Sequence, residues 1–488
     1  MTDRTAPIAS AGDVGAKSSH AEALGKVQLG LTLAAFALAP LPFGSVDNIW
    51  VLAWVVVLSI SLIGRPLRSV SGAQFRVLIA FLTVCAAYLI VAAIQIIPGL
   101  SAGANSDAWD RASELIHLPI SSRLSARAEI PVVSAGHYLL LVTSVLAGFW
   151  IGTSRSNAET LFKVARYSIL LYALYGLLAR AFTPGFVLWQ PKTAYQADLT
   201  ATFINHNTAA ALLGAGVILW ACSIQQELKS FGSLSLRLVM LSPSNEAAGI
   251  QVAARAAAGL LCFLALLSTG SRAGLACAVL GLFAAILQMV AGQLRLRLVY
   301  GLLISAIGLI AIAWWLAQSQ SVMTRGMFDE GRWMAYKYAF RVILESPIFG
   351  IGAGAFPDVF PAFRGSDMSM WGVWDYAHST LIEIAVEMGL PIALLVCMSA
   401  AGSLVIVARA ATRSVGASRT FLCAISGIMV MTYLHSLIDF PLQVPGYSIP
   451  FGILLGCGLA LATRERGTER DEVAGDRRPD QGNSGVRV

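Results

Sequence analysis

Four short stretches hold titratable or amide side chains at the starts and turns of otherwise apolar runs. In AHSTLIEIAVEMGLP, residues 377–391, Thr380 and Glu383 fit a capping box, with Thr380 as N-cap and Glu383 at the third helical position. His378 then lies two residues before the cap, at a helix mouth whose free N–H groups and dipole favour an anion. A histidine titrates in the range that a general base needs. The plainer role for it is a hydrogen-bonded anchor at a helix start. Glu387 follows one turn beyond Glu383, ahead of Gly389-Leu390-Pro391, which is expected to kink the helix. An ionised group deep in a bilayer costs roughly 2.5–3.5 kcal/mol, so Glu387 is expected to face a partner or a cavity rather than lipid.

The other three stretches are alike in kind. ATFINHNTAAALLG places His206 between Asn205 and Asn207, both good turn or cap residues, at the start of an apolar run. HSLIDFPLQVPG places His435 and Asp439 four residues apart, on one face if the helix continues, and Pro441 and Pro445 follow. The plain reading there is a paired His–Asp cap that fixes the loop. In LLSTGSRAGLA, Arg272 sits at a turn between two apolar runs, either snorkelling to the interface or lining a polar site. Arg332, beside Trp333, heads the amphipathic run WMAYKYAFRVILESP, expected as an interfacial helix on the outer surface, where it could be one cation among several on a solvated face. GIGAGAF has the wrong spacing for a phosphate loop and lacks a following Lys-Ser/Thr, so it reads as tight turns packed between aromatics.

The elements that must position these residues are apolar. Only 12% of the 488 residues are charged and 57% are hydrophobic, with a mean hydropathy of +0.70. The fold class expected is all-α, a polytopic membrane protein of about twelve transmembrane helices. The runs lie at 27–43, 48–64, 76–97, 132–152, 167–182, 204–222, 254–270, 273–291, 298–317, 381–407, 420–437 and 447–463. With both ends cytoplasmic, 23 of the 34 Lys and Arg residues fall on the inner side, including Arg65, Arg68 and Arg76, and Arg409, Arg413 and Arg419. The outer side then carries two long segments, about 98–131 and 318–379, the second between spans 9 and 10. Residues 1–25 and 464–488 read as disordered cytoplasmic tails around a membrane domain at 26–463. The seven cysteines lie in or beside apolar runs without CxxC spacing, which argues against disulfides and zinc. The scattered basic residues do not suggest a nucleic-acid partner.

The order NHNTAA (205–210), TGSRAG (269–274), GRW (331–333), SPIFGIGAGAF (346–356) and AHSTLIEIAVEMGLP (377–391) resembles the O-antigen ligase and polysaccharide polymerase family of bacterial inner-membrane glycosyltransferases. The resemblance spans about 200–440. It implies a helical membrane fold that accepts a glycan carried on undecaprenyl pyrophosphate, works on the periplasmic face and needs no nucleotide sugar, metal or other cofactor. Its functional positions fall here on His378, Arg272 and Arg332, with His206, Asn207, Glu387, His435 and Asp439 as candidate substrate-binding residues. His378-Ser379 stands where many members carry His-Asn. Arg272 and Arg332 are expected to hold the pyrophosphate and His378 to activate or orient the acceptor hydroxyl, with Glu387 and Asp375 in reserve as base. Polymerisation of an O-antigen or exopolysaccharide is the leading reading, and ligation to lipid A core the alternative. Ligation to protein hydroxyls, small-anion transport and a purely structural envelope role are lesser readings. Transport would place ionisable residues near the midplane of the spans, whereas here they gather at the outer ends.

Overall fold

The computed structural model describes residues 11–65, 70–100, 104–127, 129–230, 246–290, 330–368 and 374–464. Its helices are α1 (Ala11–Leu38), α2 (Asn48–Leu62), α3 (Gly72–Gln95), α4 (Ala104–Ile116), α5 (Ile130–Gly152), α6 (Arg155–Phe182), α7 (His206–Ser230), α8 (Glu246–Ser268), α9 (Arg272–Met289), α10 (Glu330–Glu345), α11 (Phe356–Phe363), α12 (Thr380–Met388), α13 (Leu390–Arg413), α14 (Gly416–Ser436) and α15 (Pro445–Ala462). Two-residue strands β1 (Phe186–Val187) and β2 (Gln190–Pro191) pair antiparallel between α6 and α7. The protein is an all-α polytopic membrane protein. Among the described residues nine helices (α3, α5 to α9 and α13 to α15) are long and apolar enough to cross a membrane, and α2 is a shorter apolar helix.

Eleven of the twelve expected runs fall on described helices. The run at 298–317, loop residues 318–329 and the tail beyond Arg464 lie outside the described residues. Two boundaries differ from expectation. α1 already begins at Ala11, so residues 11–25 of the expected N-terminal tail are helical. The run at 381–407 is two helices, because Gly389 takes φ +83° and ends α12 before Pro391 opens α13. A Cβ at Gly389 would lie 2.1 Å from the Ile348 carbonyl oxygen, so the break is also where the 346–356 loop packs closest.

α7, α14 and α15 are mostly buried, whereas α3 and α13 expose most of their length to the surroundings. The closest helix pair is α5 with α15. Gly148 and Gly152 pack on Ile453 and Cys457, while Gly452 and Gly456 pack on Ser144 and Val145, and these small residues let the two backbones meet. A Cβ at Gly456 would stand 1.9 Å from the Val145 carbonyl oxygen, and one at Gly148 would stand 2.0 Å from that of Ile453. Because the obstacle is backbone rather than a movable side chain, Gly456→Val is expected to cost at least about 3 kcal/mol. The check is the monodisperse yield on size-exclusion chromatography of a fluorescent fusion, with Gly402→Val, where a Cβ meets open space, as the control that retains yield.

Helices alternate in direction, so alternate connections gather at each end of the bundle. At one end Thr202 donates to the Pro40 carbonyl, Leu199 N–H to Ser268, and Gln95 reaches Phe349. At the other, Arg419 donates to the Gln288 carbonyl and Arg255 pairs with Glu227. α10, α11 and α12 add a second apolar core at the first end, built on Ala335, Tyr338, Ala339 and Val342 against Phe356, Phe360, Ala385 and Val386.

Candidate active site

The turn after α14 organises the polar residues at this end. Pro441 lacks an N–H and cannot extend α14, and Pro445 starts α15, so residues 437–444 form a tight connection with a 3-10 turn at Pro441–Gln443. Asp439 sits on this connection, fully buried. Its Oδ2 accepts from Asn207 Nδ2 at 2.6 Å and lies 3.3 Å from Arg332 Nη2. Its Oδ1 accepts the Phe440 N–H at 2.8 Å. Arg332 also donates to the Ile438 carbonyl at 2.7 Å, and the Thr380 hydroxyl reaches the Asp439 carbonyl at 3.4 Å. A buried carboxylate is tolerable only when paired and hydrogen-bonded, and these donors meet that need.

The network continues from Asn207. Ser271 caps α9, accepts the Gly274 N–H and donates to Asn207 Oδ1 at 2.7 Å. Arg272, half-buried, is the next residue. On the other side Phe440 stacks on the His378 ring, with centroids 5.1 Å apart and planes 16° off parallel, while Trp374 meets that ring edge-on at 5.1 Å. His378 adopts φ +53°, in the left-handed region that is uncommon for residues other than glycine. Tyr336 on α10 donates to the His378 carbonyl at 2.8 Å, tying the strained residue to the helix that carries Arg332.

His206 belongs to an adjoining group. Its Nδ1 lies 2.7 Å from the Thr269 carbonyl and 3.0 Å from Asp198 Oδ2, and its ring stacks on Tyr195 at 4.0 Å. Lys192 donates to the Asp198 carbonyl at 2.8 Å. Thus Arg332 and Asn207 both touch Asp439, Ser271 beside Arg272 bonds to Asn207, His378 stacks on the Phe440 that follows Asp439, and His206 adjoins them.

Three expectations change. The cap of α12 is Ser379, which accepts the Ile382 N–H, so Thr380–Glu383 is not a capping box. Glu383 is instead buried, accepting from the Ala377 N–H at 2.7 Å and from Gln443 at 2.6 Å. That burial, reinforced by the nearby Glu387, holds its carboxyl well above the ordinary range, with the two donors opposing the shift. His435 and Asp439 are not a hydrogen-bonded pair. α14 ends at Ser436, so Asp439 leaves the helical face, and the fully buried His435 ring makes no hydrogen bond among the described residues. Glu387 stands apart from the site, accepting the Phe356 N–H at 3.2 Å in the 346–356 loop. Asp375 is exposed.

Some of the framework carried no signal that sequence reading used. Gln95, fully buried, donates to the Phe349 and Glu387 carbonyls and accepts the Ala353 N–H at 3.0 Å, pinning the glycine-rich loop to α12. Ser271, Phe440 and Tyr336 were likewise unmarked. The first of these was findable, since a serine just before an apolar run is a helix-start signal.

Helices α7, α9 and α12 all begin at this end, so three positive dipole ends lie among Arg272, Arg332, His206 and His378. Such a set can hold a polyanion beside a proton acceptor. Residues 257–397 match the family model described as O-antigen ligase. This stretch of the chain is similar to the O-antigen ligase family. That likeness supports glycan transfer of the ligase or polymerase type in general. The matched stretch contains Arg272, Arg332 and His378, while their partners Asn207 and Asp439 lie beyond its two boundaries. A search of the curated proteins finds no match.

Proposed function

We propose that the protein moves a glycan from undecaprenyl pyrophosphate to a sugar hydroxyl on the periplasmic face of the bacterial inner membrane, polymerising O-antigen or exopolysaccharide repeats. The observation that carries this reading is the gathering of Arg272, Arg332 and His378 around the buried Asp439 connection. Arg332, held by Asp439, and Arg272 bind the pyrophosphate. His378 takes the proton from the acceptor hydroxyl as its oxygen bonds to the anomeric carbon. The bond from that carbon to the pyrophosphate oxygen breaks, and the charge it releases falls on the guanidinium groups and helix ends. On this reading no metal is needed, His206 and Asn207 line the sugar side, residues 26–463 form the transferase domain, and both termini are cytoplasmic. Transfer to lipid A core is the second reading, favoured by the description of the matched family.

Reconstitution separates the two. Protein in vesicles is given an undecaprenyl-pyrophosphate glycan with and without lipid A core, and products are resolved by size. Growth of the lipid-linked glycan without core is the expected result. Transfer only when core is present would make the protein a ligase, and solute flux without either product would sink both readings.

A further inference from the structure

At the opposite end of the bundle the ends of α13 and α15 and the start of α14 enclose a cavity of about 330 Å³. Its polar lining among the described residues is Arg409, Arg413, Arg464, Ser414 and Ser418, with no carboxylate among them. Its apolar wall includes Ile406 and Leu461. α14 begins here with Val415 as N-cap, which offers no side chain to the free N–H groups of the first turn. A second observation points the same way. Ser418 is 8% exposed, lines the cavity, and its hydroxyl makes no hydrogen bond among the described residues.

Arginines on a short connection serve orientation without needing a cavity. Here they surround one, with an uncapped helix start and a buried hydroxyl, which is the donor set that a phosphate ester satisfies. The volume is at the small end of the range for ligand sites and fits a headgroup rather than a whole lipid.

We propose that this cavity binds a phosphate ester, the phosphodiester headgroup of an acidic phospholipid or a free glycerol phosphate. Arg409 and Arg413 grip the phosphoryl oxygens, and the first turn of α14 and the Ser418 hydroxyl complete the shell. The site is separate from the transfer site and does not rest on the reading given to it.

The test uses the full-length protein in phosphatidylcholine nanodiscs and follows its melting midpoint. Added phosphatidylglycerol is expected to raise the midpoint saturably. In Arg409→Gln/Arg413→Gln at least about tenfold more phosphatidylglycerol should be required, since each basic residue near a surface contributes about fivefold. Ser418→Ala, a near-isosteric change that leaves the arginines in place, should shift the same titration in the same direction. Glycerol phosphate without phosphatidylglycerol tests the other source, and a saturable rise with it alone supports the site with a soluble ligand. If neither compound moves the midpoint, or both variants respond as the unsubstituted protein does, the proposal is overturned.

Discussion

Asp439→Asn is expected to leave a folded, monodisperse protein that transfers glycan at least about 100-fold more slowly. The substitution keeps the shape of the side chain but removes the charge that faces Arg332 and offers an N–H₂ to groups that are themselves donors. Losing one partner of a buried ion pair costs about 3–5 kcal/mol, much of it borne by the partner left behind. Arg332 then swings away from its position between Ile438 and Asp439, and the loss appears in turnover rather than in folding. A double-substitution cycle distinguishes this from general damage. If Asp439 acts through Arg332, adding Asp439→Asn to Arg332→Gln should change the rate by less than about threefold, because residues in one network are not additive. Fully multiplicative losses would show that Asp439 works independently of Arg332.

The second large effect concerns His378. Both His378→Ala and His378→Gly should reduce transfer by about 10²–10⁴-fold, the usual contribution of a positioned general base. Their stabilities should diverge. At φ +53° an alanine carries a steric cost of about 1–2 kcal/mol that glycine escapes. His378→Gly should therefore melt above His378→Ala, while both lose the stacking on Phe440. The paired measurement, activity and melting on the two variants, separates a residue held in strain for chemistry from an anchor. Full transfer by either variant would remove His378 from the mechanism.

Much of this was legible in the sequence, for physical reasons that also explain the failures. Apolar runs of about 20 residues announce spans whatever packs beside them, whereas His378, Arg272 and Arg332 were singled out by the family resemblance rather than by local pattern. What could not be read was partnership. His435 and Asp439 share a helical face only if the helix continues past residue 436, and Pro441 ends it first. Ser379 and Thr380 are both good caps, and the choice between them moved Glu383 from a cap to a buried link with Gln443. Gln95 lies more than 250 residues from the loop it holds, a distance that no local pattern spans.

Asp439 also sets an order of events during synthesis. Asn207, Arg272, Arg332 and His378 all leave the ribosome before it, and chains fold from the N-terminal side as they emerge. Until residue 439 arrives, Arg332 lacks the Asp439 carboxylate that it meets in the folded protein, however many spans are already inserted. The last two described helices therefore act as a late latch. A nascent protein stalled before them would hold Arg332 without the carboxylate that fixes it in the finished fold.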